Sequence, residues 1–327
     1  MVENIRKALA NFGSDLVIIL LALLVYRTLG YYTEFLRSET QDALVYLAGF
    51  YIVFGLPYFL FLVPKDHNSK GVAVGRLARR TVRLRLFAPT TQEKVSVLFL
   101  FVKFFFLPLM INFVFDNYFS VTNNMQNLSW GGNFMVFFND HLYIFLLTSF
   151  FLVDTVFFAF GYALESRHLR NSVVSVESTF LGWAVALISY PPFNSFAGQV
   201  FQWGASDFAD FGSLEMNFAV RLLVVALTFV FLAATISLGT KCSNLTNRGI
   251  VSRGPYRYVR HPAYLMKLAS WWLLSIPLMS IPVFVGMGFW TVIYFLRAWT
   301  EERHLSKDEN YLKYKEKVRH MFIPKVF

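Results

Sequence analysis

Charge and cysteine are both scarce in this chain. Only 15 % of its 327 residues are Asp, Glu, Lys or Arg, against about 25 % in soluble domains. With 56 % of the chain apolar, that is too little charge to cover a water-facing surface, so a soluble enzyme and a disordered tail are both excluded. The single cysteine, Cys242, rules out an internal disulfide and a Cys-rich metal or redox centre. No Gly-x-Gly-x-x-Gly run is present, which disfavours a Rossmann nucleotide site. His and carboxylate residues show no metal-ligand spacing. Neither a fixed-period repeat nor a low-complexity tract occurs.

What is abundant is apolar and aromatic: 38 Phe, and aromatics at 19 %. Eight stretches approach the ~20 residues that a helix needs to cross a bilayer. They lie near 14–31, 42–63, 95–116, 141–163, 173–192, 218–239, 264–281 and 282–298. Pro277 and Pro282 make the last two a helical hairpin. Strands are unfavourable, because an open sheet leaves unpaired edges in lipid. The fold class expected is therefore all-α, a polytopic integral membrane protein of about eight transmembrane helices. Residues 1–239 form an N-terminal transmembrane region with a substrate cavity, and 240–327 form a C-terminal core. The first stretch lacks a small-residue cleavage site and reads as an anchor.

The net charge of +10 would suggest nucleic acid in a soluble protein. Here its placement argues otherwise. With a cytoplasmic N-terminus, segments 1–13, 64–94, 164–171, 240–263 and 297–327 carry 25 of the 30 Lys and Arg, while the long loops 117–140 and 193–217 carry none. That is the positive-inside asymmetry. It places both termini in the cytoplasm, and no nucleic-acid partner is expected. The basic run Arg76, Arg79, Arg80, Arg83 and Arg85 reads as an orientation signal against anionic headgroups. Within the spans, Lys103 and Asp154 lie at similar depth and are expected to pair, since an isolated charge there is costly. Tyr190-Pro191-Pro192 reads as the outer end of the fifth span.

Beyond residue 240 the chain turns polar and turn-rich. Gly254-Pro255-Tyr256 leads to Arg260-His261-Pro262-Ala263-Tyr264, then the hairpin, then Arg297, Glu301, Glu302 and His304. A hairpin returns the chain to the side it left, so Arg260, His261 and Tyr264 should face Arg297, Glu301 and Glu302. Pro262 suits a first helical turn, and Arg297 and Glu301, four apart, share a helix face. The resulting pocket, with cations, a carboxylate, an imidazole and Tyr rings, suits a ligand that is both charged and aromatic. Asp154, Tyr162, Glu165, Arg167 and Glu177 could line it from the opposite side.

These residues resemble the isoprenylcysteine carboxyl methyltransferase family, within a wider group of phospholipid methyltransferases and sterol C14-reductases. Tyr311, Tyr314 and the closing Ile323-Pro324 match its tail, so the resemblance covers about 240–327. It implies a membrane-embedded methyltransferase using S-adenosyl-L-methionine from the cytosolic side, on a lipid or lipid-linked substrate, with carboxyl O-methylation the first choice. On the same resemblance Val251, Tyr256, His261, Pro262, Ala263, Tyr264 and Glu301 bind the cofactor. It also makes Arg297 the residue that orients the substrate; Glu302 is the second expected catalytic residue on its own chemistry, as a proton acceptor. His261, Glu302 or His304 could take a proton if the acceptor needed it. The chain departs from the family at Met266, where Gly is usual, so the pocket should be reshaped there. An NADPH-dependent reductase of the sterol type is the rival enzyme, and a transporter or scaffold with a degenerate site is the rival without chemistry.

Overall fold

The computed structural model describes residues 2–64, 68–83 and 88–323; Arg85 and Pro324 lie outside them. The described chain is 75 % helical with almost no strand, which makes it all-α. Its helices are α1 (Val2–Thr28), α2 (Gly30–Phe35), α3 (Ser38–Phe61), α4 (Lys70–Val82), α5 (Thr91–Gln126), α6 (Phe134–Phe137), α7 (Tyr143–Ala163), α8 (Phe180–Leu187), α9 (Phe193–Val200), α10 (Leu214–Leu238), α11 (Pro262–Ser275), α12 (Ile281–Leu305) and α13 (Glu309–Lys317). A π-helical turn joins α6 to α7.

Two compact units make up the chain, Met1–Phe115 and Asp116–Phe327. This boundary falls well ahead of the change in polarity near 240. In the first unit α1 packs on α3 and α4. Ser69 caps α4, its hydroxyl accepting from the Val72 amide at 3.2 Å. Asp15 on α1 accepts from the Gly71 amide at 2.9 Å and feels the charge of Lys103. Asn112 accepts from the Arg37 amide and the Thr40 hydroxyl.

In the second unit α10 packs between α7 and α11, and α12 packs on α8 and α11. Ser213 and Ser280 cap α10 and α12. Gly161 on α7 meets the chain just after α10 so closely that a Cβ would collide with the Cys242 carbonyl. Asp154 accepts from Thr235 Oγ1 at 2.5 Å and feels Lys267. Lys103 and Asp154 thus each meet partners inside their own unit.

Among the described residues six helical stretches are long and apolar enough to cross a membrane: 2–28, 38–61, 91–126, 134–163, 214–241 and 281–305. Much of their outward surface is large and apolar, as at Leu20, Leu24, Phe50, Phe54, Leu223 and Phe284. Exposed apolar surface on that scale is what lipid covers.

The remaining two expected crossings are not single membrane-length helices. At 173–192 the chain forms a two-residue strand β1 (Ser175–Val176), then the eight-residue α8, then a break at Tyr190-Pro191-Pro192 before α9. Yet this segment follows α12 from end to end. Thr179 receives a hydrogen bond from Arg303, and further on Phe201 stacks on Phe289 while Gly204 abuts Val283. At ~1.5 Å per residue, the stretch of α12 from 283 to 303 spans about a hydrocarbon core. Similarly, α11 stops after 14 residues and passes through a 3-10 turn carrying Pro277.

Candidate active site

The sequence of the pre-hairpin loop dictates its shape. Gly239, Gly249 and Gly254 all take positive φ, a conformation that favours glycine; Gly254 also abuts the Ser237 side chain. Between them β2 (Thr246–Asn247) pairs antiparallel with β1. The Asn247 amide donates to Asp308 at 2.9 Å, so the loop is tied to the cap of α13. Tyr311, Tyr314 and Val318 then pack on Ile250, Tyr256 and Leu305. The tail completes the fold-back: the Arg260 and His261 amides donate to the His320 and Met321 carbonyls, each at 3.0 Å.

Loop, α11, α12 and the β1–α8 segment line one open-mouthed cavity. Tyr256, His261, Ala263, Tyr264, Glu301 and Arg297 line it together. Tyr264 donates to Glu301 Oε2 at 3.0 Å. His261 stacks on Tyr264, with ring centroids 5.5 Å apart, and its Nδ1 is 4.0 Å from Glu301 Oε2. Arg297 lies over the rings of Tyr294, Tyr264 and Tyr190 at 5.2, 5.3 and 5.8 Å, and donates to Asn244 Oδ1 at 3.1 Å. Burial pushes the Tyr256 phenol well above its ordinary pKa, so it remains a neutral donor.

Three of the expected site residues stand elsewhere. Val251 and Pro262 do not line the cavity; Pro262 is buried at the first turn of α11, where it sets the start of the helix. Glu302, expected to be catalytic, also turns away. Its carboxylate is held by Arg260 through two bonds, Nε to Oε1 at 2.5 Å and Nη2 to Oε2 at 3.2 Å, with Lys315 at 3.0 Å and His261 Nε2 at 3.4 Å. Arg260 donates further to the Val318 and Arg319 carbonyls. Glu302 is therefore the anchor of the tail, with its lone pairs committed to cations.

Other cavity residues carried no motif in the sequence: Tyr190, Asn244, Lys267 and Tyr294. Tyr190 stands beside Arg297 instead of at an outer helix end, because the fifth crossing breaks at the depth of the cavity. Irregular backbone at such depth is tolerated where it lines a cavity or is buried in protein. Asp154 and Glu177 line the cavity from the far side, as the sequence suggested; Tyr162 is fully buried behind it and accepts from the Asn244 amide at 2.6 Å.

Three buried polar atoms of cavity-lining residues make no hydrogen bond among the described residues: His261 Nε2, which lies 3.4 Å from Glu302 Oε1, and Glu177 Oε2 and His304 Nδ1, which lie 4.0 Å apart. Buried groups of this kind want a partner, and a ligand hydroxyl or ammonium would satisfy the last two. No group of His, Cys, Asp and Glu among the described residues could hold a metal ion.

A match by family model fits this arrangement. Residues 214–311 match the phospholipid methyltransferase family, to which isoprenylcysteine carboxyl methyltransferase-like proteins belong. The matched segment runs from the start of α10 to the first turns of α13, and so includes the loop, the hairpin and the Tyr264–Glu301 contact. No curated protein and no solved structure matches the chain. The matched segment contributes one side of the cavity; Asp154, Glu177 and Tyr190 come from residues before it.

Proposed function

We propose that the protein is an S-adenosylmethionine-dependent methyltransferase that modifies the carboxylate of a lipid-like acceptor at the cytosolic side of the membrane. The observation that carries the reading is the convergence of Tyr264, Glu301, His261 and Arg297 on one cavity, inside a segment of phospholipid methyltransferase type. The cytosolic placement rests on the Lys and Arg asymmetry of the loops.

The residues present fit the cofactor. Glu301 has lone pairs beyond the Tyr264 bond for a ribose hydroxyl or an ammonium. Tyr256 and Tyr264 offer faces for adenine or for a cation, a contact worth ~0.5–2 kcal/mol. Glu177 Oε2 and His304 Nδ1 supply further unmatched polar atoms. When bound, S-adenosylmethionine supplies a methyl group activated on a sulfonium, and the carbon–sulfur electron pair returns to sulfur as the new bond forms. A carboxylate acceptor is already ionised and needs no base. Arg297 orients it with a planar, charged donor pair, while the Tyr264, Tyr294 and Tyr190 rings exclude water around the guanidinium. Positioning of this kind can supply ~7–11 kcal/mol of a displacement barrier.

The test is binding of isotope-labelled S-adenosylmethionine to the purified protein, followed by analysis of which lipid in a membrane extract gains the label. Saturable binding that Glu301→Ala weakens, with label in a base-labile ester, is the expected result. Binding of NADPH in its place overturns the reading in favour of a reductase, and binding of neither overturns it in favour of a scaffold.

A further inference from the structure

Three cations converge where the turn after α7 meets the chain leaving α10. Arg170 comes from that turn, Lys241 from the short 3-10 turn that follows α10, and Arg253 from the loop ahead of α11. Backbone bonds tie these segments together. The Thr240 hydroxyl donates to the Leu169 carbonyl, and the Asn171 side-chain amide donates to the Thr240 carbonyl, each at 3.2 Å. The residues next along, Arg170 and Lys241, are thereby held in neighbouring segments. Arg253 Nε donates to the Ser237 carbonyl at 3.1 Å, one of the last carbonyls of α10. The Lys241 ammonium lies against the same loop: a Cβ at Gly249 would sit 3.1 Å from its Nζ.

Such a group wants a counterion, and the described residues supply none. The charges of Arg253 and Arg170 both bear on Lys241, with no carboxylate of the described chain among the charges that do. None of the three forms an ion pair among the described residues. Beyond the Arg253 Nε bond, their side chains make no hydrogen bond there either. Glu165, the carboxylate nearest to Arg170 in sequence, accepts from the Val173 amide and acts on the buried Arg248. Arg170 itself sits at φ 51°, a left-handed conformation that is costly for a residue with a side chain. Repulsion and strain thus fall together, close to where the membrane-length stretches 134–163 and 214–241 end. That is the level of the lipid phosphates. The Lys and Arg asymmetry of the loops accounts for the side on which these residues lie. It does not account for their convergence from three segments with no acid between them. Guanidinium and ammonium donors grouped in this way match the oxygens of a phosphate.

We propose that Arg170, Lys241 and Arg253 form a docking site for the phosphate head of a bilayer lipid that is neither methyl acceptor nor cofactor. None of the three lines the cavity. The head that fits best is a phosphate monoester, which carries about two charges at neutral pH. Docked there, it links the turn after α7 to the loop that carries Asn244 and Tyr256, and so clamps that loop from outside the cavity. The inference does not depend on the methyl-transfer reading.

The experiment is native mass spectrometry of the full chain released from micelles of neutral detergent and phosphatidylcholine, with phosphatidic acid as the probe and inorganic phosphate as the soluble arm. Saturable retention of phosphatidic acid is expected, with inorganic phosphate held far more weakly. Lys241→Met should weaken retention roughly tenfold, and Lys241→Arg should keep it. Arg76→Gln with Arg79→Gln takes two cations from α4 and should leave it unchanged. Melting curves read the same site with a change of sign. In phosphatidylcholine alone, Arg170→Gly relieves both a repulsion and the left-handed backbone, so it should melt above the wild type. Added phosphatidic acid should raise the wild type more than the variant. Equal retention of the two lipids, an equal loss in the α4 variant, or unchanged affinity in Lys241→Met overturns the proposal. Inorganic phosphate held as tightly as the lipid overturns the assignment to a lipid. An Arg170→Gly protein that melts below the wild type in phosphatidylcholine means that Arg170 is satisfied within the chain, and overturns it as well.

Discussion

Arg260 and Glu302 form a two-bond ion pair in which both side chains are nearly buried, at 6 % and 8 % exposure. The pair joins the N-terminal edge of α11 to the last turn of α12 and, through Arg260, to the carbonyls of Val318 and Arg319. Arg260 also lines the cavity, whereas Glu302 does not.

Breaking one side of such a pair leaves a buried charge uncompensated, which costs about 3–5 kcal/mol. Glu302→Ala should therefore lower the melting temperature sharply. Replacing both partners, Arg260→Met with Glu302→Leu, removes the stranded charge and should recover much of the loss. Thermal melts of the three variants in detergent measure this. If Glu302 takes a proton in catalysis, the double variant stays folded and loses all turnover; if it anchors the tail, turnover follows stability.

Asn244 stands between two tyrosines and an arginine. Its side-chain amide donates to the Tyr190 hydroxyl at 3.1 Å, and its carbonyl accepts from Arg297. It positions the guanidinium through a charge-assisted bond worth ~1.5–3 kcal/mol. Asn244→Ala should reduce kcat roughly 10- to 100-fold and leave the affinity for S-adenosylmethionine unchanged. Asn244→Asp retains the acceptor and should restore part of the rate. A parallel loss of cofactor affinity would mean that Asn244 acts on the loop as a whole.

The hairpin was legible in the sequence because its signals are local. Pro262 at a helix start, prolines at the turn and the i, i+4 spacing of Arg297 and Glu301 each fix geometry over a few residues, and together they bring His261 to Glu301. Tyr190 and Lys267 were not legible in that way. Whether Tyr190 ends a helix at the membrane surface or lines a cavity depends on where the fifth crossing breaks, and apolar composition is the same for a broken crossing as for a continuous one. Lys267 carries no local signal of its own; Trp271 and Tyr294, four residues and a helix away, hold it beside the cavity. Glu301 and Glu302 part for a related reason: neighbours on a helix point about 100° apart, so of the adjacent pair only Glu301 lines the cavity.

Gly161 sets how closely α7 approaches the strand-bearing loop, since any Cβ there runs into the Cys242 backbone. A backbone atom cannot swing aside as a flexible side chain can. Gly161→Ala should cost ~1–3 kcal/mol by overpacking. It should also push the loop carrying Asn244 off Arg297, so turnover should fall more than stability alone explains. A melting curve and a rate measured below the transition separate the two effects.

Glu177 ties acidity to the integrity of the far wall. Burial acts to raise its pKa, but hydrogen bonds from Thr179 and the charges of His304 and Arg303 outweigh that and hold the carboxyl below its ordinary value. A carboxyl whose folded pKa is lowered stabilises the fold fully above its unfolded value, ~4.3, and loses that contribution as pH falls through the lowered folded value. The wild-type melting temperature should therefore drop on acidification from about pH 6 through the carboxyl range. Glu177→Gln cannot ionise and lacks this part of the dependence, so the gap between it and wild type should narrow steadily as pH falls. A gap that stays constant across the series would mean that Glu177 contributes by packing beneath Gly182 and not by its charge.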